Sequence, residues 1–416
     1  MTGTPESGDR RAAAAAERKA ALDRIGGGGA KILVVDDIPD NRDLLQRRIE
    51  RLGVGTVSLA GDGEEALTMI RSETFDLVFL DVMMPKMNGY EVLEKMRDEG
   101  RLTDLPVVMI SALTEMDSVV RCIELGAEDY LAKPFNPTLL RARLFALLEK
   151  KRLRDSVRAA LARMESDLEA ARATQLDMVP APMAPDGAAW PVTIHARLDP
   201  ARQVGGDLID FFPLGPGHCC FLLGDVSGKG PAAALFMARA WGILRAASQR
   251  WAERSDDAAG VAALMRDSNR RMSEANPALN FLTLFLGVLD VATGRVVYSN
   301  AGHPPPFRIS RAGVAEPLTL TGGMPFGIDE EAPYTVDSID LAPGDRLVVY
   351  SDGVTEAMDA AGGFYGDDRL AEWLGNVPGD DPATLVARLR EEIAIFAEGA
   401  EQSDDIALLT LCWAPS

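Results

Sequence analysis

From Lys31 onward the chain alternates short apolar runs with segments whose apolar residues recur every three or four positions. The runs KILVVDD, VGTVSLA, FDLVFLD, PVVMISA and DYLAKPF are interleaved with periodic segments such as NRDLLQRRIERLG, GEEALTMIRSE and YEVLEKMRDEG. Continuous apolar runs suit strands covered on both faces, and the periodic segments suit helices. The pattern therefore predicts five strands, each followed by a helix, in a doubly wound parallel α/β sheet. After Pro137 a Leu-, Ala- and Arg-rich stretch continues to Met178 without glycine or proline. Within it Val157, Leu161, Met164, Leu168, Ala171 and Met178 keep a 3-4 spacing that only Gln175 breaks. This predicts one helix carrying a coiled-coil stripe suited to a homodimer, closed off by Pro180, Pro182 and Pro185. Beyond residue 190 the strand-like runs CCFLLGDV, FLTLFLGVLDV, GRVVYSNAG, DRLVVYSDG and IALLTLCW are mixed with helical stretches near 231–250, 258–275 and 382–398. Strands and helices segregated in this way indicate an α+β layered domain. The expected organisation is a flexible segment over 1–30, an α/β domain over 31–148, a helical linker over 149–180 and the layered domain over 181–416.

Composition narrows the chemistry. The 416 residues allow two or three domains, and 47% apolar with 25% charged residues is ordinary for globular chains. Lys and Arg number 43 against 63 Asp and Glu, a formal charge of −20, so a nucleic acid backbone would be repelled. Only His195, His218 and His303 are present, which excludes a His-rich zinc site and restricts any Ser-His-Asp triad to those three. Carboxylates must carry most of the chemistry. Cys122, Cys219, Cys220 and Cys412 show no CxxC spacing, which fits a reducing cytoplasm. The adjacent pair lies in an apolar run and reads as core. No signal-like segment and no run of about 18 apolar residues occurs, so the expectation is a soluble protein with no membrane association.

Asp36 and Asp37 close the first predicted strand, Asp81 closes the third, Ser111 ends the fourth and Lys133 follows the fifth. In an open parallel sheet those strand ends converge on one crevice. Carboxylates brought that close raise one another's pKa unless a divalent cation neutralises them, and hard oxygen ligands select Mg²⁺. The motifs DD, LDVMMP, SA and KPF, in that order, resemble the receiver domain of two-component response regulators. The resemblance implies that Asp81 is the phosphoacceptor and that Asp36, Asp37, Asp81 and the Met83 carbonyl hold Mg²⁺. It also implies that Ser111 and Lys133 grip the acyl phosphate, that Tyr130 is the aromatic switch, and that a histidine kinase or phosphotransfer protein lies upstream.

A second acidic set lies in GGD at 205–207, LLGDVSGKG at 222–230, YSDGVTEA at 350–357 and QSDDIALL at 402–409. Each places an Asp at the end of, or in a turn beside, an apolar run, with glycine where close backbone approach is useful. Acids gathered from such distant segments call for cations, and two bridged cations could activate a water for in-line attack on phosphate. GDVSGKG is no Walker A loop, because Gly230 follows Lys229 where Ser or Thr is required.

With NAGHPPP, GMPFGI and FYGDDRL, these motifs resemble the SpoIIE-type branch of the metal-dependent PPM Ser/Thr phosphatases over about residues 171–411. The resemblance implies an α/β-β/α sandwich and two Mn²⁺ or Mg²⁺ ions. Their ligands would be Asp207, Asp225 with the Val226 carbonyl, Asp352 and an acid of the Asp404–Asp405 pair, with Asp404 favoured. It also implies a phosphorylated anti-sigma-factor antagonist as substrate; a catalytically silent adaptor built from the same two domains is the alternative. Lys229 stands where the family often has histidine, and it reads either as a contact to substrate phosphate or as a solvated turn residue. His303 reads as a structural turn residue.

Overall fold

The structure, a computed structural model, describes residues 29–112, 116–186, 190–215, 217–252, 258–274, 276–377, 379 and 381–415. The flexible segment expected over 1–30 lies, apart from its last two residues, outside the described residues. Two compact units divide between Met164 and Glu165.

The first unit runs β1 (Ala30–Val35), α1 (Pro39–Leu52), β2 (Gly55–Ala60), α2 (Gly63–Ser72), β3 (Leu77–Asp81), α3 (Gly89–Asp98), β4 (Val107–Ser111), α4 (Met116–Glu124), β5 (Asp129–Ala132) and the part of α5 (Pro137–Leu176) up to Met164. The strands form one parallel sheet in the order β2-β1-β3-β4-β5, the five-strand alternation that the sequence predicts. Alternate residues divide between two cores. Leu33, Val35, Val78 and Leu80 pack under α2 and α3, while Ile32, Val34, Leu77 and Phe79 pack under α1 and the first turns of α5. Local signals set the helix ends. Pro39 opens α1 and Gly53, at φ 73°, closes it; Asp62 caps α2; Asn88 and Glu91 form a reciprocal cap on α3.

The expected linker begins without a break in α5, whose Leu140, Leu144, Leu147 and Leu148 are buried in the first unit. Farther along, Val157, Leu161 and Met164 are 59%, 54% and 60% exposed, so the stripe is unpartnered within the described chain. At the far end Leu176 packs into the second unit, and Gln175 is buried.

The second unit contains β6 (Val192–Asp199), β7 (Leu208–Pro213), β8 (His218–Val226), α6 (Pro231–Ala252), α7 (Ala258–Ser273), β9 (Leu282–Asp290), β10 (Arg295–Ala301), β11 (Phe307–Ile309), β12 (Ala315–Pro317), β13 (Asp337–Asp340), β14 (Arg346–Tyr350), α8 (Asp352–Thr355), α9 (Asp367–Gly375), α10 (Pro382–Phe396) and β15 (Ile406–Trp413). Two antiparallel sheets, β13-β10-β9-β8-β7 and β12-β11-β14-β15-β6, stack face to face. Helices α6 and α7 cover the outer face of the first sheet, and α9 and α10 cover the second. Period-two alternation builds these layers. Cys219, Phe221 and Leu223 point between the sheets, whereas Cys220 and Leu222 point toward α6 and α7. Both cysteines are core, as expected, and all four in the chain are free. Phe221 and Phe285 lie 6.2 Å apart between the sheets, and a Cβ at Gly287 would fall 2.3 Å from the Phe221 ring. That glycine is therefore required by packing.

No described helix is long and apolar enough to cross a membrane. Replacing the fully buried Phe285 by alanine is expected to cost about 3–5 kcal/mol of stability, read by urea unfolding.

Candidate functional site

The parallel sheet brings Asp36, Asp37 and Asp81 together at its C-terminal edge, with ligand oxygens all within 4.8 Å of one another. Among the described residues they form the only group of three potential metal-binding side chains that is this close. Asp36 and Asp81 are buried. Lys133 reaches across from the end of β5 and places Nζ 2.7 Å from Asp36 and 3.0 Å from Asp81. The other Asp36 oxygen accepts bonds from the Ile38 N–H and the Asn41 side chain. Burial pushes the Asp81 carboxyl up to about 6, with Lys133 opposing the rise. Asp81 is thus mostly ionised at neutral pH, and one of its oxygens faces an ammonium. Ser111 is buried at the end of β4, and the Tyr130 hydroxyl lies 3.5 Å from the Ser111 carbonyl. Met83 sits in the loop after β3 with its side chain exposed.

In the second unit Asp207, Asp225, Asp352, Asp404 and Asp405 come from four distant stretches and interact through charge. They are spaced more widely than the first trio. Asp207 precedes β7 and is 1% exposed, and its Oδ2 has no hydrogen-bond partner among the described residues. Burial, then Asp225 and Asp405, drives its pKa well above the ordinary carboxylate value. Asp225 ends β8 and is pushed up to about 7 by burial and then by Asp352 and Asp404. Asp352 opens α8 and is raised by burial and then by Glu356. A buried carboxylate oxygen without a donor, beside three further acids, is costly when charged and suits neutralisation by a proton or by divalent cations.

Asp404 and Asp405 have different surroundings. Asp405 Oδ1 accepts the Ala201 N–H at 2.8 Å, and Oδ2 accepts the Gly206 N–H at 2.7 Å. Each of its oxygens thereby helps to fix backbone. Asp404 is half-buried, and its Oδ2 faces Lys229 Nζ at 2.9 Å. Lys229 is therefore neither a bare turn residue nor a free cation: it pairs with an acid of the site. His303 is buried with Nδ1 2.9 Å from the Thr283 hydroxyl, and burial lowers its pKa to about 3. A neutral imidazole held this way is structural.

Sequence reasoning missed three supports. The Ser351 hydroxyl accepts the Ala407 N–H and donates to the Asp405 carbonyl, tying β14 to β15 beneath the acids. Gln175 bonds both backbone polar groups of Gly205. Asp405 fixes the loop before Asp207. Only Gln175 left a signal, as a polar residue in an apolar row. The glycines show the tightness directly: a Cβ at Gly205 would fall 1.8 Å from Asp405 Oδ2, and one at Gly353 would fall 1.9 Å from the Asp405 carbonyl. A Cβ at Gly206 would meet the Val226 carbonyl at 2.8 Å.

Residues 32–145 match the family model described as response regulator receiver domain, and residues 215–414 match that of Stage II sporulation protein E (SpoIIE). Protein IcfG of Synechocystis sp. is 30% identical over 265 residues, covering 59% of this chain and 41% of that protein. The probable transcriptional regulator ycf27 of Cyanophora paradoxa is 46% identical over 120 residues, covering 29% of this chain and 48% of that protein. The chain thus spans less than half the length of these curated relatives. The SiaA-PP2C domain of Pseudomonas aeruginosa shares the fold, with a TM-score of 0.52 at 19% identity over 61% of this chain and 98% of that one.

The raised Asp225 pKa has a definite sign. Its neutral form favours the fold fully below the ordinary value of 3.8, and that contribution is lost as pH rises through about 7. Without divalent cations, Asp225→Asn is therefore expected to melt higher than the unsubstituted chain at about pH 8, and the gap should close toward about pH 5. A gap that widens at low pH would contradict the assignment.

Proposed function

From a chain that joins a response regulator receiver domain to a SpoIIE domain of the PP2C fold, we propose a response regulator whose output is metal-dependent dephosphorylation of phosphoserine or phosphothreonine on a partner protein. The observation that carries this reading is the buried, partnerless oxygen of Asp207, set among Asp225, Asp352 and Asp404. A silent adaptor would have no use for so costly a group. The receiver is assigned to 31–148, the linker to 149–180 and the phosphatase to 181–416.

In the receiver, ionised Asp81 attacks the phosphorus of a phosphohistidine donor. An Asp81 oxygen-to-phosphorus bond forms as the phosphorus-to-nitrogen bond breaks. Lys133, already 3.0 Å from Asp81, meets the added charge, and the Ser111 hydroxyl donates to a phosphoryl oxygen. Asp36, Asp37 and the Met83 carbonyl hold Mg²⁺.

In the phosphatase, Asp207, Asp225, the Val226 carbonyl, Asp352 and Asp404 hold two Mn²⁺ or Mg²⁺ ions. When bound, such ions supply a water of lowered pKa and positive charge against the phosphate oxygens. The chain's own residues do the positioning. Asp405 and Gln175 fix the Asp207 loop, Ser351 fixes the strand before Asp352, and Lys229 presents the only ammonium after Lys151 beside Asp404. Asp404 is the favoured ligand of the pair, while Asp405 anchors the loop through the Ala201 and Gly206 amides.

The substrate of this reading is a phosphorylated anti-sigma-factor antagonist in the cytoplasm, and the chain pairs with a second copy through the exposed stripe of α5. Mn²⁺ or Mg²⁺ should activate phosphopeptide hydrolysis, and Asp225→Asn should reduce it to background with the fold kept. Equal hydrolysis by both proteins would refute the metal assignment. Beryllofluoride, standing in for the acyl phosphate on Asp81, should change turnover or dimerisation. If neither changes, the receiver does not control the output.

A further inference from the structure

Gln175 interrupts an otherwise apolar row on α5 and is 5% exposed. Its Nε2 donates to the Gly205 carbonyl at 3.0 Å, and its Oε1 accepts the Gly205 N–H at 3.0 Å. A peptide group presents one donor and one acceptor, and a side-chain amide matches that pair where a carboxylate or an ammonium cannot. Asn would be one methylene shorter. The break in the stripe therefore has a physical reason: the helix exchanges an apolar contact for a two-point grip on backbone.

What is gripped matters more. Gly205 lies two residues before Asp207, and the loop between them has little freedom. Asp405 holds the Gly206 N–H at 2.7 Å. Substitution at Gly205 would strike Asp405, and substitution at Gly206 would strike the Val226 carbonyl. Arg172, one turn earlier on α5, adds a second tie by donating to the Arg202 carbonyl at 3.1 Å. A shift or rotation at the end of α5 is thus delivered through short bonds to the loop that carries Asp207.

Building on the metal-dependent phosphatase reading, we propose that Gln175 is a positioning residue: it aims Asp207 at the divalent cations and transmits the state of α5 to their affinity. It touches neither substrate nor reacting atoms. Its two bonds are buried, so losing them strands a donor and an acceptor at Gly205 and frees the loop.

The test is Mn²⁺ calorimetry on the full chain, with and without beryllofluoride, for the unsubstituted protein, Gln175→Met and Gln175→Glu, each checked for folding by circular dichroism. Met keeps the volume without the bonds. Glu keeps the bond from the Gly205 N–H but sets an oxygen without a proton against the Gly205 carbonyl. Mn²⁺ affinity is expected to fall roughly tenfold in Gln175→Met and to weaken in Gln175→Glu. The shift in affinity that beryllofluoride causes in the unsubstituted chain should be lost in both. A merely structural glutamine would lower the melting temperature and leave both readouts unchanged, and that result overturns the proposal while the metal reading stands. Absence of Mn²⁺ binding by the unsubstituted chain overturns both.

Discussion

Repulsion among buried carboxylates is the constraint that the structure answers in both units. An aspartate taken out of water resists ionisation, and a neighbouring aspartate increases that resistance. In the first unit the remedy is partly internal, since Lys133 bridges Asp36 and Asp81. The second unit offers Asp207 no such ammonium. Lys229 pairs with Asp404, at the more open side, and reaches Asp352 through charge alone. The sheets, the turns and the glycines around Asp207 hold these acids close together despite their mutual repulsion. Nearby polar groups have further partners: Asp405 accepts backbone amides, Ser351 joins two strands while also lowering the Asp207 pKa by hydrogen bonding, and His303 contacts the half-buried Thr283.

Helix α5 runs from the core of the first unit into the second with one unbroken hydrogen-bond ladder. Its sequence changes task along its length. Leu140 to Leu148 supply core, the middle presents an unpartnered apolar row, and the last turns supply Leu176 as packing and Gln175 as a polar grip. Signalling through such a helix requires two arrangements of comparable free energy that phosphorylation can bias. An exposed stripe, rather than a fully buried one, leaves room for such a second arrangement.

Much of this was legible from residues alone. Period-two and period-3.6 patterns located the parallel sheet, the long helix, the strand carrying Asp225 and the strand that precedes Asp352, because those elements bury continuous apolar faces. Short strands such as Phe307–Ile309 and Ala315–Pro317 were not legible, since three residues carry no period. The strand Leu208–Pro213 was hidden by Asp210, which is buried in a pair with Arg245 and so breaks the apolar run. Motifs gathered the acids into two sets, yet the different surroundings of Asp404 and Asp405 needed coordinates. Adjacent identical residues differ only in what faces them. Gln175 was visible as an irregularity whose meaning depended on a glycine thirty positions away.

The central claim is that cations displace protons at the second acidic set. Calorimetric titration of Mn²⁺ into the full chain near neutral pH, repeated in buffers of different ionisation enthalpy, measures metal uptake and proton release together. The account predicts saturable uptake with net proton release, both diminished when Asp207 and Asp225 are replaced by asparagine. Saturable uptake without proton release, or uptake unaltered by those replacements, would contradict it.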